Sequence, residues 1–148
     1  MTFSVANIAK ALAGYLRLFM PDLEFYTDPR QQKTKLPGAF IQLISSSVVL
    51  RQSRYLLRSL RFDLTYLDDY NKPDLQRHYQ AVSELFDLNL ELIPVAPDSS
   101  ELLHTYDRSA DIDLDGLHYK FELRVWLSPE EDAELMRTLE IKLEVKDG

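Results

Sequence analysis

The sequence predicts a single α+β domain: a mainly antiparallel β-sheet of five or six strands, with two longer helices packed on it and a short C-terminal helix. Three observations predict this class. Apolar residues recur at helical spacing in two segments, they alternate with polar residues in several others, and no repeat or linker divides the 148 residues. A chain of this length is the usual size of one domain and can bury a substantial core.

The first half of the chain contains a predicted helix and three predicted strands. Thr2 or Ser4 can cap a helix that runs to about Phe19 and ends before Pro21. The pattern then predicts a short strand at 24–27, an exposed polar loop at 28–37, and longer strands at 39–47 and 55–67.

The segment between the two longer strands is apolar and basic, with no proline or glycine to form a turn. Two interpretations are open. A long hairpin whose tip projects beyond the sheet would expose Val48, Val49 and Leu50 beside arginines as a subunit contact. An ordinary hairpin with a solvated basic rim accounts for the same residues. The basic positions are Arg51, Arg54, Arg58 and Arg61.

The second half adds two predicted helices around further strands. One helix starts at 71–73 and fades near Asn89, and a short edge strand follows at 90–95. Ser128, Pro129 and Glu131 form a helix start, with serine at the cap and glutamate three residues later, for a short helix to about Leu139. Residues 140–146 alternate apolar and charged side chains, which predicts a terminal edge or donated strand.

The stretch 102–127 reads as one β-hairpin. Asp115 and Gly116 are predicted at the centre of a type I′ turn, because both central residues of that turn need positive φ. The resulting register places Ile112 opposite Tyr119 on an apolar face, and it pairs Asp113 with His118 and Asp111 with Lys120 on the other. Trp126 interrupts the polar face, which favours a partner contact or a lid.

The same stretch satisfies the EF-hand calcium pattern through Asp111, Asp113, Asp115 and Glu122. An EF-hand loop joins two helices, whereas the flanks here alternate as strands do. We therefore interpret the pattern as a β-hairpin coincidence and expect no metal site. Calorimetric titration with calcium distinguishes the two interpretations.

Bulk properties exclude several classes of function. The chain has no cysteine, which excludes disulfides, thiolate catalysis and cysteine zinc sites, and it shows neither a membrane-length apolar run nor a secretory signal pattern. A net charge of −7 argues against broad binding to nucleic acid. There is no phosphate-binding glycine loop, dinucleotide fingerprint or nucleophile elbow, so we expect no enzyme and no cofactor.

One pair of residues could support catalysis by a histidine base. His104 and Asp107 could form a base and its orienting carboxylate beside a serine. Polar strand residues at a sheet rim explain the same positions without catalysis, and we favour that interpretation.

Four stretches, in this order and spacing, carry a resemblance to a known family. They are Pro37-Gly-Ala-Phe40-Ile-Gln-Leu43, Arg54-Tyr55 through Arg61-Phe62-Asp63-Leu64-Thr-Tyr66, Asp115-Gly116-Leu117-His118-Tyr119, and Glu134-Leu-Met136 leading into Leu139-Glu140. Together they resemble the phage tail terminator family of Gram-positive bacteriophages and related prophages. The resemblance covers nearly the whole chain, so residues 1–148 are expected to form a single tail-terminator-like domain. The stretch 88–103 and the loop near Lys33 depart from the family pattern.

The resemblance implies a structural protein that caps the tail tube, stops its polymerisation and joins tail to head. It implies a ring, usually of six subunits, in a virion tail assembled in the host cytoplasm. The implied partners are the tail tube protein and a head–tail connector or head-completion protein. An acidic lining of the ring would repel the DNA phosphates and let the DNA slide through. A lumen lined by lysine and arginine would contradict this expectation.

Two other classes stay open: another head–tail connector or head-completion protein, and a small non-enzymatic ligand- or metal-binding domain. Binding of a purified partner would identify the first, and a deep pocket or calcium affinity would favour the second. As subunit or partner contacts we select Arg51, Arg54, Arg58 and Trp126. Charge reversal at Arg54 or Arg58 is expected to disturb assembly without unfolding the monomer.

Overall fold

A computed structural model describes residues 4–26, 35–69, 71–113 and 116–147, with side chains up to residue 138. Within these ranges it has three helices and one six-stranded sheet, which confirms the predicted α+β class. The elements are α1 (Val5–Arg17), β1 (Glu24–Phe25), β2 (Gly38–Gln52), β3 (Tyr55–Leu67), α2 (Leu75–Asn89), β4 (Leu92–Pro94), β5 (Leu102–Asp113), β6 (Gly116–Leu127) and α3 (Pro129–Asp147).

The strands lie in the order β1-β2-β3-β6-β5-β4. Every neighbouring pair is antiparallel except β1 and β2, which are parallel. The outer strands are short, so β2 is paired on its outer side only at residues 38–39, and β5 only at residues 102–104. Most of the outer edge of β2 and of β5 therefore has no partner strand within the described residues.

The core lies on one face of the sheet, beneath the helices. Alternate residues of β3 point to this face, and Leu60, Phe62 and Leu64 are fully buried there. They pack in one cluster with buried residues of all three helices, of which Leu12 in α1 and Phe86 in α2 are examples. A smaller cluster, Tyr26, Phe40 and Leu67, includes no helix residue. The opposite face is thus left to the side chains of the strands and loops.

Two helix starts follow the predicted chemistry. The Ser4 hydroxyl accepts a hydrogen bond from the Asn7 backbone N–H at 3.1 Å, so α1 begins with a serine cap. Ser128 accepts from the Glu131 N–H at 3.2 Å, while the Glu131 carboxylate accepts from the Ser128 N–H at 3.1 Å. This reciprocal pair satisfies two N–H groups that the helix itself leaves open.

The C-terminal prediction is wrong in two respects. The last helix is not short, since α3 has 19 residues, and the backbone at 140–146 is helical where a terminal strand was predicted. Residues 140–147 contain no glycine or proline to interrupt the helix, and glutamate, lysine and leucine are good helix formers. Intrinsic propensity and the capped start prevail here over the period-2 alternation.

The register of the β5–β6 hairpin also differs from the prediction. Ile112 pairs with Leu117 instead of Tyr119, and Asp113 pairs with Gly116. Residues 114–115, which connect the two strands, lie outside the described residues. Gly116 starts β6 instead of sitting at the turn centre. A shift of two leaves residues 109–113 on their predicted faces, but the irregularity between Tyr106 and Ser109 reverses the faces earlier in β5, where Thr105 is buried opposite Leu123. The hairpin itself is confirmed.

Candidate interaction surface

The β2–β3 hairpin is the longest antiparallel pair in the described sheet, and it turns without glycine or proline. Gln52 pairs with Tyr55, which leaves Ser53 and Arg54 as the turn, and Ser53 takes φ of 48°. β3 pairs with β6 as far out as Leu56 opposite Leu127. Only the turn therefore extends beyond the neighbouring strand, a smaller projection than the long-tip interpretation expects.

Arg58 differs from the other arginines of the hairpin because its side chain is buried. It shares the core-facing side of β3 with Leu60, and only 7% of the residue is exposed. Its Nε lies 2.5 Å from Asp132 Oδ1 in α3, and its Nη1 donates to Ser46 Oγ at 2.9 Å. We therefore revise the expectation for Arg58: it joins α3 to the hairpin within the monomer, so reversing its charge disturbs folding as well.

Arg51 and Arg54 are exposed, and neither forms an ion pair within the described part of the chain. The apolar residues before them, Val48, Val49 and Leu50, are also exposed. Val49 is an extra residue in β2, at the second of two register shifts in this strand. The predicted exposure of these residues beside arginines is confirmed, while their role as a contact stays a prediction.

Three apolar side chains form a row across the face opposite the helices. Leu50 in β2 pairs with Leu57 in β3, and Leu57 pairs with Trp126 in β6. Trp126 is 51% exposed and Leu50 43%. We call Leu50, Leu57 and Trp126 the apolar row. An exposed indole in line with two leucines is typical of a contact surface, because burying such groups drives association.

A polar network borders the apolar row. Glu122 accepts hydrogen bonds from Ser59 Oγ and, at 3.2 Å, from the Arg124 guanidinium, which lies 4.4 Å from the centre of the Tyr106 ring. The hydrogen bond from Ser59 is the main cause that lowers the pKa of Glu122, with Arg124 adding to it against the opposing effect of burial. The network holds Arg124, two residues before Trp126 on the same face of β6, against Tyr106.

Further along the strands, His118 lies between two carboxylates. Its Nδ1 is 3.1 Å from Asp63 and its Nε2 is 3.6 Å from Asp113, while Lys120 contacts Asp111 at 3.3 Å. The predicted charge pairs therefore form, but between diagonal neighbours and not directly opposite residues.

The arrangement of the EF-hand pattern is that of a hairpin. Asp111 and Asp113 lie in β5 and Glu122 in β6, so strands flank the pattern where an EF-hand has helices. Asp115 lies outside the described residues. Among the residues whose side chains are described, no group of three or more His, Asp or Glu could hold a metal ion.

The proposed histidine pair is not assembled as a catalytic site. His104 Nε2 lies 3.7 Å from Glu91, and the His104 ring packs against Tyr106 with centroids 5.0 Å apart. Asp107 follows in β5 at φ of 48°, where the register shifts. The geometry is that of polar residues at a sheet rim.

A cleft of about 470 Å³ lies between the end of α1, the end of β3 and α2. At its polar end Asp68 contacts Lys72 at 2.9 Å and His78 at 2.8 Å, and Tyr66 Oη is 3.0 Å from His78. Burial acts to raise the pKa of Asp68, but the hydrogen bonds from Lys72 and the Asp69 N–H outweigh it and lower the pKa. Burial raises the pKa of Tyr66. These side chains satisfy one another's hydrogen-bonding capacity and connect the end of β3 to α2.

The sequence analysis did not predict this cluster of Tyr66, Asp68, Lys72 and His78. The spacing of Asp68 and Lys72, four residues apart with opposite charge, was the available signal.

Comparison with known proteins identifies one family. The family model described as "Phage tail terminator protein" matches residues 7–135, which is most of the chain. The matched residues include the β2–β3 hairpin, the apolar row and the polar network beside it. No curated protein matches the sequence. Within the described residues, no helix is both long and apolar enough to cross a membrane. The chain belongs to the phage tail terminator protein family, a family of structural components of phage tails.

Proposed function

We propose that this protein caps the tail tube, stops its polymerisation and provides the surface that joins tail to head, acting as a closed ring of six subunits. It would be assembled in the host cytoplasm, in a phage or prophage of a Gram-positive host. Family membership supports this proposal, and the apolar row is the observation on this chain that carries it.

A terminator must offer one surface to the tube and different surfaces to its neighbours. The helices use one face of the sheet for the core, so the opposite face is free to act as a contact surface. At one end of that face, Leu50 and Trp126 are half exposed, and the hydrogen-bonded pair of Glu122 and Arg124 lies on one side of Trp126. This combination of an apolar centre and a satisfied polar rim is the usual anatomy of a protein interface.

Trp126 is the residue proposed to make the main contact with the tube protein, and Arg51 and Arg54 at the hairpin end are proposed as further contacts. Arg51 lies on the helix side of the sheet, where it lines a shallow cleft with Pro129 and Asp132. Tryptophan and arginine are the residues that most often dominate interface energetics. Arg58 contributes indirectly, since it fixes the hairpin against α3. The acidic lining proposed for the ring lumen rests on the net charge of −7 alone.

The test is the Trp126→Ala variant, examined by negative-stain electron microscopy with tail-tube polymers from the same phage. Wild-type protein is expected to form rings or caps at one tube end. Trp126→Ala is expected to remain folded, with a change in unfolding free energy within about 0.5 kcal/mol, and to lose capping. The matched control is Leu88→Ala, which removes another highly exposed apolar side chain, from α2. Capping by Trp126→Ala at wild-type levels would remove the apolar row from the proposal, and wild-type protein that neither caps tubes nor halts their growth would refute the function.

A further inference from the structure

Charge is distributed unequally between the two edges of the sheet. Residues 39–62, which form nearly all of the β2–β3 hairpin, contain four arginines and no acidic residue. Residues 84–113, from the end of α2 through β5, contain eight acidic residues and one arginine. The net charge of −7 conceals this polarity. We call the first region the basic hairpin and the second the acidic edge.

The sheet order places these two regions on opposite sides of the molecule. β2 is next to the outermost strand at one side, and β4 is outermost at the other, with β3, β6 and β5 between them. A positive patch and a negative patch on opposite sides of one subunit can meet only if they belong to different copies. Such a contact is heterologous, and repetition of it gives a ring when the rotation closes.

The charged groups also lie at the same end of the strands. The turn with Arg54 is at the end of the sheet where β6 finishes, because Leu56 pairs with Leu127. β5 is antiparallel to β6 and begins at that end, where it pairs with β4. Glu101 precedes β5 and lies at that end. Glu91 precedes β4, which runs opposite to β5, so it lies further along β5, where its carbonyl accepts from the Thr105 N–H. Two copies placed side by side without a shift along the strands would bring the arginines towards the glutamates.

Arg58, Asp111 and Asp113 are paired inside the monomer, but the charges nearest the proposed contact are little compensated. Arg51 and Arg54 have no ion pair among the described residues, and neither has Glu101. Glu91 has one long contact, 3.7 Å to His104, and the side chains of that pair are 66% and 50% exposed. Exposed, unpaired charges of opposite sign at two edges favour encounter between those edges and set its orientation.

We propose that the basic hairpin of one copy docks on the acidic edge of a second copy, head to tail, through Arg51 and Arg54 against Glu91 and Glu101. At the end of the sheet where these residues lie, β4 covers the outer edge of β5, so β4 of one copy faces β2 of the next. The inference rests on the proposed function and adds to it the pair of surfaces through which subunits join.

The experiment compares four variants by sedimentation velocity, each alone and bound to tail tubes. Arg51→Glu/Arg54→Glu reverses the charge of the hairpin arginines, and Glu91→Lys/Glu101→Lys reverses the charge of the glutamates at the acidic edge. A third variant carries all four substitutions. Arg17→Glu/Arg77→Glu is the matched control for the hairpin variant, because it also replaces two arginines by glutamates, at exposed helix positions. Circular dichroism checks that every variant is folded.

Each reversed pair is expected to weaken self-association by about tenfold or more, and the four-substitution chain to recover most of it, because opposite charges face each other again. The control associates as the wild-type chain does. Wild-type association should also weaken as salt rises from about 0.1 M to about 1 M.

Three outcomes would overturn the inference: unchanged association in both reversed variants, a four-substitution chain no better than either, or a wild-type chain that decorates tubes as isolated copies. If the wild-type chain still caps tubes, the proposed function survives these results. Hairpin variants that lose affinity for duplex DNA while self-association is unchanged would assign the arginines to nucleic acid instead.

Discussion

The two faces of the sheet use alternate residues of the same strands, yet they are held together differently. On the covered face, Phe62 and Phe121 are stacked with ring centroids 5.6 Å apart and are fully buried beneath the helices. On the opposite face, Glu122 and His118 are held by hydrogen bonds and ion pairs, and the apolar row stays exposed. The covered face therefore carries the stability of the monomer, and the opposite face is free to vary with its partners. Substitutions can separate the two.

The largest effect is expected on the covered face. Phe62→Ala should lower the unfolding free energy by about 3–5 kcal/mol, because it removes a fully buried ring and leaves a cavity. Urea denaturation measures the loss. Tyr55→Ala, which truncates an exposed ring in the same strand, is the control and should cost less than about 0.5 kcal/mol. Similar losses in both variants would abolish the distinction between the faces.

The next effect separates two arginines of one hairpin. Arg58→Ala should cost about 3 kcal/mol, because it leaves Asp132 without its buried partner, while Arg54→Ala should be nearly neutral for stability. Thermal denaturation of the two variants provides the comparison. Asp132→Ala should not add to Arg58→Ala in the double variant, since both remove one interaction. Full additivity would show that the two side chains act independently.

A smaller loss is expected where α3 starts, next to the Arg58–Asp132 contact. Ser128→Ala removes the hydroxyl that caps the Glu131 N–H, at a cost of about 1 kcal/mol. The variant Ser128→Asp keeps an acceptor at the cap and should retain most of the stability. Equal unfolding midpoints for Ser128→Ala and the wild type would mean that α3 is held by packing alone.

The smallest effect belongs to the opposite face and depends on pH. Because the folded pKa of Glu122 is lowered, its contribution is present above its ordinary value of 4.5 and is lost as pH falls through the folded pKa. Glu122→Gln should remove this part of the acid dependence, a change under about 1 kcal/mol. Denaturation at a series of acidic pH values measures it. The exposed Glu84→Gln variant should show the wild-type dependence, and the prediction fails if Glu122→Gln does too.

Periodicity predicted most of the sheet because each strand lies between a covered and an uncovered face. It also contained an unused signal: Arg58 has the same parity as Leu60 and Phe62, which places it on the buried side. Its partner Asp132 was not predictable, because the contact joins residues 74 positions apart through the path of α3. Alternation failed at 140–146, where helix propensity and the absence of a breaker decided the structure.

The candidate site was only partly predictable for a similar reason. Trp126 stood out as an aromatic on a polar face, but its alignment with Leu57 and Leu50 depends on the register of three strands. That register includes two shifts in β2 that no single sequence pattern marks. The separation of charge between opposite edges likewise follows from strand order, which brings distant segments to the two sides of one sheet.

The two shifts in β2 bear on solubility before assembly. An open edge strand with no charged residue between 39 and 50 is a template for aggregation with any extended chain. The shifts after Leu43 and after Val48 break the ladder, so its longest regular run in β2 covers only residues 38–43. Bulges of this kind twist an edge and prevent long, regular pairing. The bulges therefore lower the tendency of this open edge to pair with other chains and form fibrils.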